Sequence, residues 1–103
     1  MGEFMTIGKA AEVDEGGTAG FEVEGAQVGV ARIDGTLYAF SDICTHRGCT
    51  LSQGGELDGV ELTCECHGSV FDVSSGAVLD GPATESIETY PAREMDGDIQ
   101  IEV

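Results

Sequence analysis

Four cysteines and two histidines, all that the chain contains, fall between Cys44 and His67, within less than a quarter of its length. They read Cys44-Thr45-His46, then Cys49, then Cys64-Glu65-Cys66-His67. A lone cysteine is ordinarily a small buried hydrophobe, and a lone histidine an ordinary hydrogen-bonding residue. Six together point instead to metal ligation or thiol chemistry. A redox dithiol at Cys64-x-Cys66 fits poorly, because it lacks the two-residue spacer and the βαβ setting of such enzymes. A structural zinc site built from two Cys and two His is a second reading, that of a zinc-stapled interaction module. Such sites normally pair Cys with Cys and His with His at short spacing. Here each short pair is mixed, one Cys with one His.

The mixed pairs have their own logic. Two loops that each offer one thiolate and one imidazole permit two metal ions, one held by both Cys and the other by both His. Iron–sulfur centres include that arrangement, with two His replacing two Cys on one iron. The all-cysteine plant-type spacing fails, since no Cys follows Cys49 by three residues. Cys44-Thr45-His46 and Cys64-x-x-His67-Gly68, separated by 17 residues, resemble the motif pair of the Rieske family. Leu51-Ser52, Gly54, Leu57 and Gly59 between the pairs match as well, followed by Phe71-Asp72, Gly76 and Gly81-Pro82-Ala83. The likeness is strong over Phe40–Thr84 and loose over the flanking segments.

The resemblance implies a small all-β domain of stacked antiparallel sheets with a loop-rich cluster-binding subdomain at one tip. It implies one [2Fe–2S] cluster per chain, with Cys44 and Cys64 on one iron and His46 and His67 on the other. Every iron position is then filled by protein, so no substrate pocket is expected and the chain is not itself an enzyme. The compact loop between the motifs resembles soluble Rieske-type ferredoxins, which pass electrons from a flavin reductase to a terminal oxygenase. The remaining pair, Cys49 and Cys66, resembles the respiratory and photosynthetic Rieske proteins, where the equivalent cysteines form a disulfide; two free thiols, ordinary in a reducing cytosol, is the other reading. That pair keeps open a soluble domain or relative of a quinol-oxidising Rieske protein. A nitrite reductase-like small subunit is a weaker relative. Around the cluster the resemblance places Ser69, with a hydroxyl to offer a bridging sulfide, Gly68 with its backbone amide, and Pro82 in a shielding loop. Two positions depart from the family pattern: Glu65 stands where Pro is usual, and Phe71 where the high-potential members have Tyr.

The elements that must hold these loops read as strands. Gly is abundant at 16 residues and Pro scarce at 2, with Val, Ile, Thr and Leu in short runs. Three Asp-Gly pairs mark two-residue hairpin turns. Asp34-Gly35 separates Gln27–Ile33 from Thr36–Phe40. Asp58-Gly59 separates Gly55–Leu57 from Val60–Cys64. Asp96-Gly97 precedes Ile99, Ile101 and Val103, which alternate with Asp98, Gln100 and Glu102. Phe21 and Val23 alternate with Glu22 and Glu24. Gly8–Glu15 reads as a loop or a single helical turn. Together these give one domain over 1–103, with a β-scaffold at 1–41 and 85–103 and the cluster-binding subdomain at 42–84. Met1–Phe4 reads as a cloning remnant ahead of a native start at Met5, which leaves open a native N-terminal anchor ahead of it.

The chain's 103 residues carry 20 Asp+Glu against 4 Lys+Arg, a formal net charge of −16. That charge repels nucleic acid and anionic membrane surfaces. No apolar run approaches the ~20 residues of a spanning helix, so no membrane insertion is expected. A cytoplasmic location and a monomeric state are further expectations.

Overall fold

The computed structural model describes residues 4–42, 51–52, 56–64, 68–81 and 86–102. The architecture is all-β, with eleven strands in three antiparallel sheets among the described residues. The first sheet joins β1 (Phe4–Lys9) to β11 (Asp98–Glu102) and β10 (Ala92–Met95), in the order β1-β11-β10. The second contains β2 (Thr18–Val23), β3 (Ala26–Ile33), β4 (Thr36–Ser41) and β9 (Thr89–Tyr90), in sequential order. The third is β5 (Glu56–Asp58), β6 (Glu61–Thr63), β7 (Val70–Asp72) and β8 (Val78–Asp80). This third sheet lies entirely between β4 and β9 in sequence. The expected helical turn at Gly8–Glu15 is a short 3-10 turn at Ala10–Glu12, and Phe4 takes part in β1 opposite Glu102.

The second sheet lies between two cores, and the period-2 alternation of β3 and β4 sorts their side chains. Val28, Val30, Leu37 and Ala39 join Ile99 and Ile101 of β11 in one buried cluster. Ala31 and Phe40, with Ile33 and Tyr38 at the margin, join Leu62 and Phe71 of the third sheet in the other. A strand covered on both faces loses its hydrophobic alternation, and β3 accordingly carries four consecutive buried residues, Val28–Ala31.

Turn chemistry sets the hairpins. Asp34-Gly35 and Asp96-Gly97 have both residues at positive φ, as a type I′ turn requires. Glu24-Gly25 does the same between β2 and β3, a turn that a search for Asp-Gly pairs misses. The Asp58-Gly59 expectation is displaced by one residue. Asp58 belongs to β5 and pairs with Glu61, so the two-residue loop is Gly59-Val60. Only Gly59 is at positive φ there, which matches the type II′ turn with Gly first. Val60 and Cys64, expected within the strand, flank it instead.

Candidate functional site

Of the residues singled out for cluster chemistry, Cys64, Gly68, Ser69 and Phe71 are described. Cys44, His46, Cys49, Cys66, His67 and Pro82 lie outside the described residues. Cys64 follows β6 directly and is 2% exposed. Its amide donates to the Ser69 carbonyl at 2.7 Å, and its carbonyl accepts from the Gly68 amide at 3.0 Å. These two bonds close the turn that joins β6 to β7. Gly68 sits at φ +80, where a side chain would be strained. Ser69 is fully buried behind it. The segment Glu65–His67 is therefore bracketed by two hydrogen-bonded ends.

The other motif loop is bracketed in a similar way. The amide of Leu51 donates to the carbonyl of Asp42 at 2.8 Å, so the two ends of segment 43–50 meet. Asp42 is buried and its carboxylate accepts twice from Ser52, from the amide at 2.7 Å and from the hydroxyl at 2.5 Å. Burial pushes the Asp42 carboxyl above its ordinary value, against the opposing pull of the two Ser52 donors. Sequence reading noted Leu51-Ser52 as a match but passed over Asp42. Nothing local marks Asp42, because its hydrogen-bond partners lie nine and ten residues on and in β3.

Leu51 then carries the first loop to the second. Its side chain is fully buried in the cluster that contains Leu62, Cys64 and Phe71. The chain that follows the first motif thus enters, at Leu51, the same core that holds Cys64. Phe71 pairs with Leu62 across the sheet and is fully buried; its ring belongs to the same core cluster as Cys64 and supplies no hydroxyl. A buried thiolate is costly in apolar surroundings unless a cation compensates it. The buried Cys64, with the hydrogen-bonded residues that flank both motif segments, therefore fits a thiolate held by a metal cluster. Among the described residues alone no group of three or more metal-ligating side chains assembles.

These features bring Cys64 and the two ends of segment 43–50 to one buried core of a β scaffold. The chain belongs to the Rieske [2Fe–2S] domain family, whose model matches residues 3–91. Its cofactor is accordingly a [2Fe–2S] cluster, which decides between iron–sulfur and zinc. It is 38% identical over 82 residues to the ferredoxin component of the naphthalene 1,2-dioxygenase system of Pseudomonas aeruginosa, covering 80% of this chain and 78% of that protein. The solved Sphingomonas yanoikuyae B1 ferredoxin superposes with a TM-score of 0.90 at 28% identity, over 98% of this chain and 99% of that one. A structure described as the complex of reduced oxygenase and oxidized ferredoxin in carbazole 1,9a-dioxygenase matches with a TM-score of 0.87 at 27% identity, over 96% and 92%.

Proposed function

We propose that this protein is a one-electron carrier that delivers electrons to a terminal oxygenase. The observation that carries the reading is the convergence of the two motif loops, through Leu51 and Cys64, on one buried core in a Rieske-family chain. In this reading Cys44 and Cys64 hold one iron of the cluster, and His46 and His67 the other. When bound, the cluster supplies a reversible one-electron couple, and the redox chemistry is its own. The protein's part is to close both loops, bury Cys64 and keep the Ser69 and Gly68 backbone tightly turned beside it.

The finer parts of the reading rest on sequence. Residues 42–84 act as the cluster-binding subdomain, set between scaffold segments 1–41 and 85–103. Electrons arrive from a flavin reductase, and the protein works as a cytoplasmic monomer. Among the described residues no helix is long and apolar enough to cross a membrane. Pro82 shields the cluster, and Ser69 offers it a hydroxyl. Cys49 and Cys66 form a disulfide between the two loops. Intact mass of cluster-free protein after alkylation without reductant tests the bridge: two blocked cysteines are expected, and four alkylatable thiols would remove it.

The central test is composition and spectrum. Purified protein should hold two irons and two inorganic sulfides and, when reduced, give an EPR signal with average g below 2. His46→Ala and His67→Ala should each lose or alter that signal. An unchanged signal in either variant strikes that residue from the ligand set. Rieske potentials span about −150 to +300 mV. A value at the upper end, in keeping with the Cys49/Cys66 pair, would favour a quinol-oxidising relative over an oxygenase ferredoxin.

A further inference from the structure

Asp42 is among the few fully buried polar residues described, and its surroundings are built for it. Gly20 of β2 and Gly29 of β3 pair directly across the sheet. A Cβ on Gly20 would come within 2.9 Å of one carboxylate oxygen of Asp42 and 2.7 Å of the Ser52 hydroxyl; a Cβ on Gly29 would come within 2.9 Å of the other carboxylate oxygen. Gly29 also makes room for the Phe40 ring, which a Cβ there would overlap, so the two glycines together clear a shelf on the second sheet for the Asp42 carboxylate, the Ser52 hydroxyl and Phe40. The Asp42 amide is fixed by the Gln27 carbonyl at 3.0 Å, so the residue is anchored to the scaffold from its main chain as well. From this shelf it grips Leu51 through its carbonyl and Ser52 through both carboxylate oxygens. The Thr18 hydroxyl of β2 donates to the Ser52 carbonyl at 3.3 Å, a further tie between the shelf and the returning chain.

We propose that Asp42 is a positioning residue for the cluster: the Asp42–Ser52 clamp, seated on Gly20 and Gly29, closes segment 43–50 at its base and so sets where Cys44 and His46 present their ligand atoms. The proposal rests on the reading that those two residues are ligands. Asp42 touches the returning chain and acts through it. Three hydrogen bonds from two consecutive residues hold that chain in both translation and rotation, whereas a single contact would leave it free to pivot. Leu51, held in the same grip, is then aimed into the core beside Cys64. The clamp couples the register of one motif loop to the other through a single buried side chain.

The test uses the cluster-loaded full chain and four substitutions. Asp42→Ala removes both carboxylate acceptors. Ser52→Ala removes the hydroxyl donor and keeps the amide. Asp42→Asn keeps an oxygen for the Ser52 amide and offers an N–H to its hydroxyl. Ile101→Val, in the opposite core, serves as the control for a general loss of stability. The readouts are the g values of the reduced protein, the reduction potential and the rate of iron loss to a chelator. Removing a supporting partner of a metal ligand typically costs about 10–100-fold in metal affinity. Asp42→Ala should accelerate iron loss on that scale and shift the g values and potential. Ser52→Ala should do so by a smaller factor, and Asp42→Asn should restore wild-type behaviour. If Asp42→Ala fails to fold, Ser52→Ala and Asp42→Asn still decide. Ser52→Ala matching Ile101→Val in all three readouts overturns the clamp. Asp42→Asn behaving like Asp42→Ala, or like Ser52→Ala or worse, overturns it too, because charge rather than hydrogen-bond geometry would then be at work. Failure of the underlying reading looks different: His46→Ala would retain an unchanged cluster signal.

Discussion

At Gly76 the backbone of the third sheet meets the chain on its way back to the scaffold. The residue sits at φ +84, its amide donates to the Asp72 carbonyl at 2.6 Å, and its carbonyl accepts from the Ile87 amide at 2.8 Å. A Cβ there would overlap the Ile87 carbonyl oxygen and press on the Thr89 methyl at 3.2 Å. Both the torsion and the space demand glycine. Gly76→Ala should therefore destabilise by about 1–3 kcal/mol from backbone strain alone, with the overlap added to it. Urea unfolding would show the loss, and a midpoint equal to wild type would mean that Ile87 can step aside freely. The same position reads from sequence only as one of several turn-forming glycines. Its demand comes from a segment eleven residues later, which no local pattern announces.

The strands carry most of what was legible. The Asp34-Gly35 turn located β3 and β4 closely, and period-2 alternation after Asp96-Gly97 located β11, since both signals are local. The third sheet was placed less well: its strands are three residues long, too short for alternation to fix register, and the turn at Gly59-Val60 slid by one. The family motif was legible because its spacing is itself chemical. Asp42, its glycine shelf and the role of Leu51 were not, since they depend on which strands lie side by side. The sorting of β3 and β4 into two cores makes a further expectation. Val30→Ala empties part of the core shared with β11 and should cost about 2 kcal/mol, at ~0.8 kcal/mol per buried methylene. Leu51→Ala, in the core that holds Cys64, should cost about 2–5 kcal/mol. Calorimetry checks both costs. EPR of the reduced protein should separate them, with g values unchanged in the first variant and shifted in the second. A shift in both would mean the second sheet transmits strain between its faces.

Across the whole molecule the charge is unusually one-sided, and the described bases do little to offset it outward. Lys9 is paired with Asp98 at 2.8 Å, which pushes its amine above the ordinary 10.5. Arg32 reaches Glu94 at 3.1 Å and the carbonyls of Val13 and Ala10, each at 2.9 Å. Arg93 lies over the Phe4 ring and donates to Gln100. Meanwhile Asp58, Glu61 and Asp72 stand directly opposite one another across β5, β6 and β7. Like charges so placed oppose strand pairing, by roughly 0.2–1 kcal/mol for each pair. A net charge of −16 adds diffuse repulsion that disfavours the compact state. Screening should therefore stabilise this protein, because the Debye length falls from ~30 Å at ~0.01 M salt to ~3 Å at ~1 M. The thermal midpoint should climb with NaCl over that range. Glu61→Gln, at the centre of the carboxylate row, should raise the midpoint at low salt and flatten the climb. Sucrose at matched osmolality separates screening from surface exclusion, since it leaves the Debye length unchanged. A climb that is equally steep in Glu61→Gln would place the repulsion in the diffuse charge of the whole surface. A midpoint indifferent to NaCl would mean that the native state and the unfolded chain carry their negative charge at equal cost, and that neither the row nor the net charge opposes folding.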